Sequence, residues 1–258
     1  MIGAADSFGS YGRRAPLGIA YRAAQTADRV VTGAIVLVLA TVFAVAGYAL
    51  WDSFTVLNGG AQLQKPTDAE SFAALRAQNP DVCAWLTVDN TNIDYPVVQG
   101  EDNFEYLDQD ATGEYSASGS IFLDSECDPA FTEPYEVVMG HHMQYGKMFG
   151  DLDKFLEADF FNENGSGQLM LPDRTLDLQV VAVLTADAYD GVLYSTPAGK
   201  DRMEELVSRV RKLAIHQRSG SFSPDDQLIA LSTCASSGAN ARTVLICRVS
   251  GEHASQVG

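Results

Sequence analysis

Val30 to Trp51 runs for 22 residues without a charge, and that stretch limits what the chain around it can become. At about 1.5 Å per residue, a helix of this length is roughly 33 Å long and crosses the hydrocarbon core of a bilayer. Arg13, Arg14, Arg22 and Arg29 precede it, so the positive-inside rule holds the N-terminus on the cytoplasmic side. Tyr48 and Trp51 then fall at the outer interface. Two other readings stay open. A buried core helix would have to be covered on every side, because the run is apolar all the way round. A cleaved signal peptide is suggested by Ala44-Val45-Ala46, which has the A-x-A form of a processing site. The 29-residue leader and the full-length apolar run favour an uncleaved anchor. The expected organisation is a cytoplasmic leader (1–29), an anchor (30–51), a linker (52–66) and an extracellular domain (67–258).

The chain of 258 residues carries a net charge of −17. Four arginines and three aspartates fall in the first 52 residues, which leaves 13 basic and 31 acidic residues for the remainder. A surface of that sign repels nucleic acid, which is bound through basic patches, so no nucleic-acid partner is expected. The four cysteines (83, 127, 234 and 247) are too widely spaced for a zinc site and too few for a disulfide scaffold. A bridge between Cys83 and Cys127 stays open, since sequence cannot show whether their Cα atoms meet.

Beyond the linker, Thr67 to Gln78 has a broad apolar face (Ala69, Phe72, Ala73, Leu75) and reads as a helix. Thr67 and Glu70 have capping-box spacing, and Asn79-Pro80-Asp81 ends the helix. The pattern then changes to short apolar runs with turn punctuation: 83–88, 93–99, 119–123, 135–139, 168–171, 176–186, 228–233 and 243–249. Many short strands in one domain indicate a barrel or sandwich. One stretch, Gly199 to Gln217, has helical spacing (Met203, Leu206, Val207, Val210, Leu213, Ala214) and reads as an amphipathic helix packed on the strands.

The chemistry concentrates near the end. Leu231-Ser232-Thr233-Cys234 closes one apolar run, and Arg242 opens the next, eight residues after the thiol. Read as a hairpin, with Gly238 and Asn240 in the turn, the two strands put Cys234 opposite Arg242. Alternation then gives Arg242, Val244 and Ile246 the face of Cys234, and Thr243, Leu245 and Cys247 the other. A cation beside a thiol favours thiolate and can hold an oxyanion. The plainer readings are a small buried hydrophobe for Cys234 and a solvated strand end for Arg242. His141 and His142 follow another apolar run, Val137-Val138-Met139-Gly140, and an imidazole is the usual proton carrier near neutral pH. A metal site is disfavoured there, because adjacent side chains diverge and no third ligand is evident. Cys127 has acidic neighbours, which raise a thiol's pKa. His216 and His253 carry no signal.

These residues resemble a known family. Leu231-Ser232-Thr233-Cys234 with Arg242 is similar to the catalytic strand pair of sortases, whose usual motif is T-L-x-T-C with a downstream Arg. Gly140-His141-His142-Met143 resembles their His motif. Ile93-Asp94-Tyr95-Pro96-Val97-Val98-Gln99-Gly100, Asp102-Asn103 with Tyr106-Leu107, Gly119-Ser120-Ile121-Phe122-Leu123-Asp124 and Met148-Phe149-Gly150-Asp151-Leu152 resemble the class B branch. The resemblance covers about Thr67 to Ser250.

It implies a mostly β fold: an eight-stranded sortase-type barrel with N-terminal helices and a long amphipathic helix before the catalytic strand, behind the membrane helix. It implies Cys234 as nucleophile, His141 as general acid/base and Arg242 as stabiliser of the carbonyl and oxyanion. Ser232, Thr233 and His142 are the expected substrate-side residues, with His142 in a supporting role. No metal or organic cofactor is implied. The partners implied are secreted proteins bearing a C-terminal sorting signal cut after Thr, and an amine acceptor from a cell-wall precursor or a pilin. Ala235, Ser236 and Ser237 stand where class B members often carry larger polar or acidic residues, so contacts there do not transfer. A cysteine protease or amidase that transfers only to water shares the thiol and the His, and a non-enzymatic surface module needs neither.

Overall fold

Helix α1 (Leu17–Asn58) contains an apolar stretch, Tyr21–Trp51, none of which is buried against protein. Thr26 and Thr41 return their hydroxyls to the carbonyls of Arg22 and Leu37, so these polar groups are satisfied within the helix, as a lipid-facing segment requires. The helix runs past both ends of the expected anchor. Residues 52–58, expected as linker, are helical because the first helix-breaking residues are Gly59 and Gly60. The structure, a computed structural model, describes residues 17–58, 63–195, 200–220, 222–234 and 240–254. The first 16 residues of the expected leader, with Arg13 and Arg14, lie outside them. The chain divides into two units, one ending at Ser53 and one beginning at Phe54.

Helix α2 (Ala69–Gln78) begins one residue later than the capping-box spacing of Thr67 and Glu70 predicts. Asp68 is the cap: its carboxylate accepts from the Ser71 amide at 2.7 Å, and the Ser71 hydroxyl accepts from the amides of Thr67 and Asp68. Both pairs have the required spacing, and the shorter side chains close the box. Phe72 and Leu75 of α2 pack on Val82, Trp85, Val98, Tyr106 and Phe122.

Nine strands follow: β1 (Val82–Val88), β2 (Asp94–Val98), β3 (Ile121–Leu123), β4 (Tyr135–Gly140), β5 (Ser166–Met170), β6 (Arg174–Asp187), β7 (Ala214–Gln217), β8 (Leu228–Cys234) and β9 (Ala241–Ala254). They pair in the order β5-β1-β2-β3-β4-β8-β9-β6-β7, and a β5–β6 pairing closes the first eight into a barrel. Closure removes the open edges that a sheet of this size would otherwise expose. Strand β7 adds to the far end of the long β6. The barrel is mixed, with β2–β3 and β4–β8 parallel and the other pairs antiparallel. A parallel pair needs a long connection. Between β4 and β8 that connection contains two short 3-10 segments, helix α3 (Ala158–Glu163), β5 to β7 and helix α4 (Lys200–Leu213).

Helix α4 buries Met203, Leu206, Val207 and Val210, as its periodicity predicts. It stops at Leu213, four residues short of the expectation. Ala214–Gln217 is strand β7, where β-branched Ile215 suits a pleat and the His216 Nε2 pairs with the Leu156 carbonyl at 2.8 Å. His216 is therefore a sheet residue rather than a helical one.

The two cysteines considered for a bridge are separate free thiols, both buried. Cys83 donates to the Val97 carbonyl at 3.4 Å, and the Val137 amide donates to the Cys127 sulfur at 3.3 Å. Burial pushes the Cys83 and Cys247 thiols up to about 12. Intact-mass labelling with iodoacetamide in the absence of reductant should therefore add four groups to the denatured chain. The folded chain should take one, at Cys234. Fewer than four groups on the denatured chain would reveal a bridge the fold does not contain.

Candidate active site

Three neighbouring strands end or begin in one row. β4 and β8 run parallel with Gly140 opposite Thr233, so the next residues, His141 and Cys234, stand level with each other. β8 and β9 run antiparallel with Cys234 opposite Arg242 and Thr233 opposite Thr243. The order His141, Cys234, Arg242 thus crosses three adjacent strands, roughly 4.8 Å from one to the next. The hairpin register is the one the sequence predicts. The Cys234 side chain and the turn residues 235–239, including Ala235, Ser236 and Ser237, lie outside the described residues.

Gly140 is required where β4 meets its cover. A Cβ there would run into the Ile121 side chain and approach Phe149 at 3.2 Å. Past Gly140 the chain folds back, and the Phe149 amide donates to the His141 carbonyl at 3.0 Å. That return loop holds Tyr145 and Met148 at positive φ, with Gly146 between them. The Met148 amide donates to the Tyr95 hydroxyl at 3.1 Å, which ties the loop to β2.

His141 is half-buried, and its pKa is lowered from 6.5. Burial is the main cause, a hydrogen bond with the Leu107 carbonyl opposes it, and the nearby Arg242 charge adds to it. The Leu107 carbonyl reaches that position because Gly119 adopts φ +58: a Cβ at Gly119 would sit 2.5 Å from the Leu107 oxygen. The residues carrying Leu107 are anchored by Tyr106, whose hydroxyl donates to Asp81 at 2.7 Å and accepts from Asn79 at 2.8 Å.

The expected substrate-side residues separate. Ser232 shares a face with Arg242 and Val244 and forms a 2.8 Å hydrogen bond with the Tyr194 hydroxyl. Thr233 is fully buried on the opposite face with Leu231, Thr243 and Leu245. Strand alternation turns the Thr233 side chain away from the face of Cys234 and Arg242, and the Ser232 side chain is buried as well. His142 faces Asp153, with its Nε2 3.0 Å from Oδ2. Asp153 accepts from the Thr243 hydroxyl at 2.7 Å through Oδ1.

Sequence reasoning missed Leu107 as a partner of His141, Tyr194 as a partner of Ser232, and Asp153. Gly119 in an otherwise apolar run was the one local signal for the first. The other two come from segments distant in sequence, Asp153 from the 3-10 segment Gly150–Leu156 and Tyr194 from the turn after β6.

A family model for the sortase domain matches residues 86–250. The chain belongs to the sortase family. Sortase B of Listeria monocytogenes is 32% identical over 162 residues, which cover 62% of this chain and 65% of that protein, slightly under two thirds of the relative's length. Among solved structures, Clostridium perfringens sortase B superposes with a TM-score of 0.65 at 32% identity, covering 69% of this chain and 98% of that one. A Streptococcus pyogenes class B sortase involved in pilus biogenesis gives 0.62 at 34% identity, covering 69% of this chain and 96% of that one. The similarity is thus to the class B branch, as the motifs imply.

The surroundings of His141 set a pH dependence. Its folded pKa lies below the ordinary 6.5, so between the two values the unfolded chain binds more protons than the folded one. The stability contributed by the neutral ring is complete above 6.5 and is lost as pH falls through the folded pKa. NMR titration of the ring in the full chain in detergent should find a midpoint below 6.5, and Arg242→Gln should move it upward by removing the cation. A midpoint that Arg242→Gln leaves in place would separate the two side chains.

Proposed function

We propose that the chain is a membrane-anchored cysteine transpeptidase of the class B type. The observation that supports this reading best is the common row of His141, Cys234 and Arg242 at the ends of β4, β8 and β9. The Cys234 sulfur attacks the carbonyl carbon of Thr in a C-terminal sorting signal, and the thiol proton passes to His141. Arg242 faces the oxygen that becomes negative. The C–N bond breaks, His141 returns the proton to the departing amine, and a thioester remains on Cys234. An incoming amine attacks the thioester, gives a proton through His141 to the leaving sulfur, and takes the acyl group. A ring whose pKa is lowered starts neutral, which suits the first proton transfer.

Ser232, held by Tyr194, lines the substrate side of this row, and His142 plays a supporting role. Thr233 lies on the other face of β8, opposite Gly140 and Thr243, so any part it plays in binding runs through its backbone. The acceptor is an amine of a cell-wall precursor or a pilin lysine; the pilus role of the Streptococcus pyogenes relative keeps the second in view. The apolar stretch of α1 is an uncleaved anchor, with the arginine-rich leader inside the cell and the barrel outside.

The full chain in detergent, given a sorting peptide and a glycine-type amine, should form an amine-dependent product. Hydrolysis unaffected by amine would point instead to a protease or amidase. Cys234→Ala should trap no thioester, and His141→Ala should lower turnover by about 10²- to 10⁴-fold. His142→Ala should cost much less, and equal losses in the two histidine variants would overturn the assignment. The intact mass of the membrane-extracted protein should retain the residues before Ala44. A chain beginning after Ala46 would show that the helix is a processed leader.

A further inference from the structure

Asp153 stands outside the row of three strands, yet its two oxygens reach both edges of it. Oδ2 lies 3.0 Å from the His142 Nε2, and Oδ1 accepts from the Thr243 hydroxyl at 2.7 Å. His142 follows His141 on the exit from β4, and Thr243 follows Arg242 on β9. These two strands are not neighbours: β8 lies between them, so they are about 10 Å apart. The strand between provides no such tie. The hydroxyl of Thr233, opposite both Gly140 and Thr243, is buried and has no hydrogen-bond partner among the described residues. We propose that Asp153 is a positioning residue: its carboxylate clamps His142 to Thr243 across β8 and so fixes the spacing of His141 and Arg242 on either side of Cys234.

The clamp is stiffly mounted. Asp153 lies in the 3-10 segment Gly150–Leu156, whose Leu152 and Phe155 are fully buried and whose Asp151 accepts from the Asn92 amide at 2.8 Å and pairs with Lys154 at 2.9 Å. The Asp153 side chain itself is only 26% exposed. Thr243 is fully buried, so β9 cannot shift there without moving the barrel. The other partner, His142, starts a return loop that holds two non-glycine residues at positive φ. A carboxylate is suited to this position because it can accept from a hydroxyl and an imidazole N–H at once. Both contacts are made to side chains other than those of His141, Cys234 and Arg242, so the effect reaches the reaction through the placement of His141 and Arg242.

This inference rests on the transpeptidase reading, and its test separates the two. In the full chain in detergent, Asp153→Ala should lower kcat by about 10- to 100-fold with KM within about twofold. Asp153→Asn, which keeps an acceptor for Thr243 and a polar partner for His142, should recover most of the loss. Thr243→Val should cost less alone and add little to Asp153→Ala, because the two changes remove one shared contact. Alongside turnover, the rate at which iodoacetamide alkylates Cys234 is followed against pH by intact mass, and Tm is recorded. The midpoint of that profile should shift in Asp153→Ala and return in Asp153→Asn. A parent chain without turnover would refute the transpeptidase reading, while the alkylation profiles would still decide the clamp. Profiles and kcat unchanged in Asp153→Ala, or losses that follow Tm alone in all three variants, would overturn the clamp.

Discussion

The site depends on the register of two strand pairings, β4 with β8 and β8 with β9. Side chains alternate with a period of two, so a slip of one residue in either pairing would exchange the two faces. Ser232 and Arg242 would turn into the packed side, and Thr233 and Thr243 would take their place. The hydrophobic pattern cannot enforce this choice alone. Val137, Val138, Ala230, Leu231, Leu245 and Ile246 are all buried, so both faces of these strands are apolar. The register has to be held by features that fit only one way. Gly140, which leaves room for Ile121 and Phe149, is one. The isolated bridge between His142 and Met148 that closes the return loop is another.

This explains which parts could be read from the sequence. The β8–β9 hairpin was legible because its two strands are separated by a short turn with glycine and asparagine, and local spacing sets the register. The β4–β8 pairing was not, since it joins Gly140 to Thr233 across a connection that holds β5, β6 and β7. His141 was found through the apolar run before it and the family motif, and its level with Cys234 came only from the fold. The helix ends differ from the expected ones for local reasons. Asp68 with Ser71 and Thr67 with Glu70 offer the same cap one residue apart, and periodicity does not rank them. Ala214 continues the apolar face of α4 although the backbone has already turned into β7. Asp153 gave no signal at all, because its value lies in two partners 11 and 90 residues away.

The electrostatics of the row run against the rest of the molecule. The chain is strongly acidic, yet the charge that acts on the His141 ring is the guanidinium of Arg242. Salt screens exposed charges beyond about 10 Å, whereas Arg242 lies two strands from half-buried His141, across β8. Burial and Arg242 both press His141 towards the neutral form, and the Leu107 carbonyl alone favours the charged one. A ring balanced in this way can accept a proton and release it again within one cycle, which a strongly stabilised imidazolium could not do.

The position of Leu107 depends in turn on residues with no part in the chemistry. Its carbonyl approaches Gly119, which adopts a backbone conformation that L side chains avoid. The Ser120 amide donates to the Tyr106 carbonyl at 3.0 Å, and the Tyr106 hydroxyl is fixed by Asn79 and Asp81 at the end of α2. The helix before the barrel therefore reaches the histidine through one tyrosine and one carbonyl. On the other side of the row, Asp153 reaches the same loop from the 3-10 segment after it. His141 is thus held from two directions, by backbone on one side and by the neighbour of a clamped residue on the other. Among the described residues its own side chain has the Leu107 carbonyl as partner and a cation nearby, which leaves it the freedom a proton carrier needs.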